Sequence, residues 1–163
     1  MIRILETVLV PEDRIKVIKD GPVKQKIEEM LGVSLNFKDN LVEIEGEGVK
    51  LLQAKRIVKA IGRGFSPKKA FRLFDEEVVL EIIELSGFKD NKMKVIKSRL
   101  IGTKGKTRII IEKDSDCFMS VYGKTVCLIG KFDQIEIARE AINMILRGSK
   151  HSKVYGFLQR SKL

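Results

Sequence analysis

Shifted by 84 residues, the chain superimposes on itself without a gap over about fifty positions. Gly21 falls on Gly105, Glu28 on Glu112, and the alternating Val33-Leu35-Phe37 on Cys117-Met119-Val121. Gly46 meets Gly130, Ala54 meets Ala138, Val58 meets Ile142, and Arg63-Gly64 meets Arg147-Gly148. Identity over the whole overlap is low, but the matches occupy turn glycines, one face of a strand and one stripe of a helix. Those are the positions that periodicity and turn chemistry constrain. The chain therefore has to build one small fold twice.

Each copy can be read from its local patterns. In the first, residues 3–10 form a β-rich run stopped by Pro11, and residues 14–18 are a short helical candidate. Pro22 suits a first helical position, and Val23, Ile27, Met30 and Leu31 then share a helical face that Gly32 ends. Residues 33–37 alternate as a half-buried strand, Asp39-Asn40 turns, and residues 41–44 return as its hairpin partner. A stripe of Leu51, Ala54, Ile57, Val58 and Ile61 predicts a helix closed by Gly62. Residues 66–74 predict a linker helix capped by Ser66 with Pro67 first, its Phe71 and Phe74 packed on a domain. The second copy starts with a strand over 78–85. A lysine-rich loop over 87–94 and a short helix over 95–100 come next. A hairpin spans 119–129, and an amphipathic helix over 132–146 ends at Gly148. The pattern predicts an α+β protein with domains at 1–74 and 75–163.

Charge divides the copies more sharply than hydrophobicity does. The net charge is +10. Residues 1–85 balance 15 cations against 15 anions, whereas residues 86–113 carry nine cations against Asp90 and Glu112. Residues 147–163 add five cations and no anion. Such a surplus points to a polyanion, either nucleic acid or an acidic membrane surface. No apolar run approaches a bilayer span and the N-terminus lacks a secretory pattern, so the expectation is a soluble, cytoplasmic protein. Cys117 and Cys127 have no His or Cys partner at ligand spacing and read as buried thiols, so no metal or other cofactor is expected. His151 has no acid/base partner in sight, reads as a surface residue, and leaves no basis for an enzyme.

The surplus centres on Ser98-Arg99-Leu100-Ile101-Gly102-Thr103-Lys104-Gly105-Lys106-Thr107-Arg108. This reads as a helix end, a Gly-x-x-Gly turn and a helix start, offering free N–H groups and a positive dipole end to a phosphate. A Walker loop is excluded, because Leu100 stands where its first glycine is needed and a helix rather than a strand precedes it.

Two short helices around Ile101-Gly102-Thr103-Lys104-Gly105-Lys106, then a strand, hairpin and long helix, resemble a KH RNA-binding domain. The resemblance implies two tandem type I KH domains, each a three-stranded antiparallel sheet packed against three helices. It makes Gly102 and Gly105 the turn glycines and Thr103 and Lys104 the phosphate-facing pair, with Arg99, Lys106 and Arg108 on phosphates or base edges. Ile101, Ile109, Cys117, Met119 and Val121 are candidate groove walls that also fit plain core, and Lys150 and Lys153 are tail candidates. The first copy departs from this pattern. Ile18-Lys19-Asp20-Gly21 lacks the first glycine, sets an aspartate toward the phosphates, and precedes Pro22. A degenerate KH domain used for packing or partner contact is expected there.

Arg99-x-Ile101-Gly102-x-Lys104-Gly105-Lys106-Thr107-Arg108, Ile111-Glu112, Ala138-Arg139-x-Ala141-Ile142 and the tail Ser152-Lys153-Val154-Tyr155-Gly156 narrow the resemblance. Together they are similar to the small-subunit ribosome assembly factors called partner of Nob-one, or Dim-two. The short chain looks like the archaeal form. That family implies binding of single-stranded RNA near the 3′ end of 16S rRNA or its precursor, beside the nuclease and methyltransferase that process that end. An exosome-associated or mRNA-binding KH regulator, or a protein–protein scaffold, would be the alternatives.

Overall fold

A computed structural model describes residues 2–162, which form two compact units, 2–76 and 77–162. In the first, strand β1 (Ile4–Leu9) leads to helices α1 (Glu12–Lys19) and α2 (Gly21–Leu31). Strands β2 (Ser34–Lys38) and β3 (Leu41–Gly46) and helix α3 (Gly48–Gly62) follow. The sheet is antiparallel in the order β1-β3-β2. Its core joins Val42 and Ile44 of the sheet to Ile18, Ile27, Ile57 and Ile61 of the helices, all fully buried. A short helix α4 (Pro67–Ala70) and a 3-10 turn (Phe71–Phe74) close the unit, with the Ser66 hydroxyl capping the Lys69 amide at 3.3 Å. Phe71 and Phe74 stack at 5.1 Å, half-buried, and the Gln53 side chain donates to the Phe74 carbonyl.

The second unit repeats the order. Strand β4 (Val78–Glu84) precedes α5 (Asp90–Ile101), a 3-10 turn (Thr103–Gly105) and α6 (Lys106–Ser115). Strands β5 (Phe118–Tyr122) and β6 (Thr125–Lys131) and helix α7 (Phe132–Leu146) complete the pattern, with the sheet antiparallel in the order β4-β6-β5. The architecture is thus α+β, built on two three-stranded antiparallel sheets with their helices.

The sequence repeat is a repeat of side-chain jobs. Leu35 pairs with Ile44, and 84 residues on Met119 pairs with Leu128. A Cβ on Gly46 would lie 2.6 Å from Val33, and one on Gly130 would lie 2.7 Å from the Cys117 sulfur, so a bare backbone is needed at both places. Glu28 takes Lys24 at 3.0 Å and accepts the Leu35 amide at 2.9 Å. Glu112 takes Arg108 at 2.7 Å and accepts the Met119 amide at 2.9 Å. In each unit one carboxylate ties the second helix to the strand that follows.

Two expectations need correction. The lysine-rich segment is not a loop to residue 94, because α5 begins at Asp90 and Met93, Ile96 and Leu100 form its buried stripe. The basic tail is a further helix, α8 (His151–Ser161), so the second unit packs four α-helices rather than three. Val154 and Leu158, one turn apart and fully buried in the core, hold α8 in place.

Candidate nucleic-acid interface

The peptide between α5 and α6 is shaped by two glycines that are needed for different reasons. Gly102 ends α5 by donating its amide to the Ser98 carbonyl at 2.8 Å, then adopts φ 77° and ψ 170°. Only glycine occupies that region readily. A Cβ there would also lie 2.3 Å from the Thr107 hydroxyl oxygen and 2.7 Å from the Thr107 amide. Gly105 has φ 76°, but an added Cβ would meet nothing nearer than 3.8 Å, so backbone conformation alone requires it. Between them Lys104 is held at φ 57°, a left-handed conformation uncommon for a lysine. The result is a tight corner that leaves Thr103, Lys104 and Lys106 exposed at the start of α6. No side chain caps α6, so its leading amides and the positive end of its dipole are available to an anion.

The surrounding residues set this corner rigidly. Thr107 is buried, and its hydroxyl bonds the Tyr155 hydroxyl of α8 at 2.9 Å. The Arg99 guanidinium is half-buried and donates to the Ser149 carbonyl, which fastens the approach to α8. Arg108 is paired with Glu112 and remains about a third exposed at 32%. Of the candidate walls, Cys117, just before β5, and Met119, on the face of β5 that the helices cover, are core residues at 2% exposure. Ile101 and Val121 are half-buried and Ile109 is 51% exposed. Lys150 and Lys153 are exposed at the start of α8.

His151 corrects a further expectation. Its Nε2 lies 2.9 Å from the Arg99 carbonyl, and its ring stacks on Tyr155 with centroids 5.9 Å apart. It belongs to the support of the glycine corner. Neither His151 nor Tyr155 stood out as a site residue in the sequence, since only the docking of α8 brings them there.

The first unit has no such corner. Its α1 is one turn shorter than α5, and a single residue, Asp20 (φ −52°, ψ 125°), separates α1 from α2. Gly21 is not among the left-handed residues, and Pro22 sits in the first turn of α2.

A model of the second KH domain of partner-of-Nob-one proteins, described as a eukaryotic-type KH domain (KH-domain type I), matches residues 79–163. The chain belongs to the partner-of-Nob-one (Dim-two) family. A KH domain-containing protein of Methanocaldococcus jannaschii is 40% identical, over 97% of this chain and 74% of that one. The RNA-binding protein pno-1 of Caenorhabditis elegans is 29% identical, over 92% of this chain and 59% of its own length. Two solved structures from Pyrococcus horikoshii have the same fold at 42% identity. Dim2p superimposes with a TM-score of 0.89, covering 96% of this chain and 99% of that one. A chain of an a/eIF2alpha–aDim2p–rRNA complex gives 0.93, covering 99% and 96%. This partner-of-Nob-one protein is therefore a KH-domain RNA-binding protein of a ribosome-biogenesis family. Among the described residues no helix is long and apolar enough to cross a membrane.

If Lys106 meets a backbone phosphate, Lys106→Ala is expected to flatten the slope of log affinity against log salt by roughly 0.7 for a single strand. A salt titration that returns the wild-type slope would remove Lys106 from the contacts.

Proposed function

We propose that this chain is a small-subunit ribosome assembly factor that holds single-stranded RNA near the 3′ end of 16S rRNA or its precursor. The observation that carries this reading is the corner at Gly102–Gly105, where exposed Thr103 and Lys104 sit on a strained backbone at the start of a helix. The appearance of a closely similar chain in a complex with rRNA supports the choice of RNA. A KH clamp acts by fixing the backbone of about four nucleotides and reading their edges beside it. In this unit Thr103, Lys104 and the leading amides of α6 take the phosphates. Lys106 and Arg108 flank them, and Ile101, Ile109 and Val121 supply apolar surface. The protein holds and presents the strand, and the cutting and methylating of that end belong to partner enzymes.

The first unit is a KH domain that has lost its clamp. The shared carboxylate tie, the paired glycines and the strand register support a common origin for the two units. The missing left-handed corner and balanced charge support a role in packing or partner contact.

Crosslinking the protein to RNA in cells and sequencing the bound fragments tests the choice of RNA. Fragments should concentrate at the 3′ end of the small-subunit rRNA or its precursor. Enrichment in messenger RNA without that end would instead favour a KH regulator of other transcripts.

A further inference from the structure

Helix α6 presents two different flanks. Arg108 and Glu112 turn toward β5, while Thr107 and Ile110 lie on the other side, toward α8. On that second side α6 and α8 enclose an open concavity of about 900 Å³, within the range that small ligands occupy. Its lining includes Thr103, Lys104, Lys106, Ile110, His151 and Tyr155, and no carboxylate. Thr103, Lys104, Lys106 and Ile109 are shared with the clamp proposed above, so the concavity continues the surface that takes the strand.

Its chemistry matches one occupant. Two lysines complement a phosphate, and an apolar floor with two near-parallel rings, 17° apart, complements the face of a base. The rings are held before any ligand arrives. The Tyr155 hydroxyl is bound to Thr107, and His151 Nε2, facing a carbonyl, carries the proton and donates to Arg99. Little side-chain freedom remains to be lost on binding. Thr107 and Tyr155 are 48 residues apart, so the basic tail supplies an aromatic platform absent from the segment around the corner.

Resting on the RNA-binding reading above, we propose that this concavity is a second subsite for the same strand. A base adjoining the clamped nucleotides stacks against Tyr155 and His151, with its phosphate on Lys106. The strand then straddles α6, using both flanks.

The test pairs protein variants with oligonucleotides carrying one abasic nucleotide at successive positions. Wild-type affinity should fall about ten-fold when the abasic nucleotide occupies the subsite. Tyr155→Leu should bind the intact strand about ten-fold more weakly and show no further loss at that position. Tyr155→Phe, which keeps the ring and loses only the bond to Thr107, should keep the positional loss. His151→Leu, which leaves the Tyr155–Thr107 bond in place, should blunt it. The subsite is overturned, with RNA binding intact, if Tyr155→Leu matches wild type on every strand while Thr103→Asp with Lys104→Asp removes binding. It is also overturned if Tyr155→Leu and Tyr155→Phe are equally weak and keep the full positional loss, since Tyr155 would then only brace Thr107. Excess AMP that competes with wild type but not with Tyr155→Leu would assign the site to a free mononucleotide and likewise overturn it. If Thr103→Asp with Lys104→Asp itself leaves binding unchanged, the RNA-binding reading fails first.

Discussion

Gly102→Ala should destabilise the second unit by roughly 3 kcal/mol, a large share of what a domain of this size has in reserve. Two costs add. At φ 77° and ψ 170° an alanine is strained, and its methyl carbon would lie 2.3 Å from the Thr107 hydroxyl oxygen and 2.9 Å from its Cβ. Thr107 has little room to yield, because it is 1% exposed and tied to Tyr155. Gly105→Ala should cost about 1 kcal/mol, from conformation alone. Gly21→Ala should be close to neutral, since no heavy atom lies within 4 Å of the added carbon and its φ is not left-handed. Urea denaturation followed by tyrosine fluorescence reads the relevant unit, because both tyrosines, Tyr122 and Tyr155, lie in it and the chain has no tryptophan. A wild-type midpoint for Gly102→Ala would contradict the steric account.

The largest effect on RNA is expected from the double change Thr103→Asp with Lys104→Asp. It removes a hydroxyl and an ammonium from the Gly102–Gly105 corner and sets two carboxylates there. Charge-assisted hydrogen bonds are worth about 1.5–3 kcal/mol each, so losing both lowers affinity by at least roughly 100-fold, and like-charge repulsion adds to it. The fold should survive. Both residues are exposed, and aspartate tolerates the left-handed conformation at position 104 better than lysine does. An unaltered denaturation midpoint with abolished binding would separate loss of contact from loss of structure.

Much of this was legible in the sequence because the repeat preserves physical jobs. A glycine that must admit the side chain just before a strand, as at Gly46 and Gly130, and a glutamate that must bind an amide, as at Glu28 and Glu112, leave matched positions even where identity is low. Helix α7 was bounded at Phe132 and Leu146 by its stripe and by the glycine beyond it. The start of α5 was hidden because four of its first six residues are charged or amide-bearing, and only burial of Met93 marks the inner face. Helix α8 was hidden more completely. It offers few apolar anchors, contains Gly156, and gains its order from docking on residues far back in the chain. For the same reason His151 read as a lone surface residue. Strand alternation at Cys117, Met119 and Val121 identified β5, but a groove wall and a core face alternate alike. The helices above the sheet decide between them.

A gel-shift titration of three proteins with a 16S 3′-end oligonucleotide reads most directly whether one unit alone clamps the strand. The proteins are the wild type, Thr103→Asp with Lys104→Asp, and the change at the matching place in the first unit, Lys19→Asp beside the native Asp20. The clamp at Gly102–Gly105 predicts abolished binding for the second protein and near-wild-type affinity for the third. Retained affinity in the second protein, with loss in the third, would place the RNA on the first unit and contradict it.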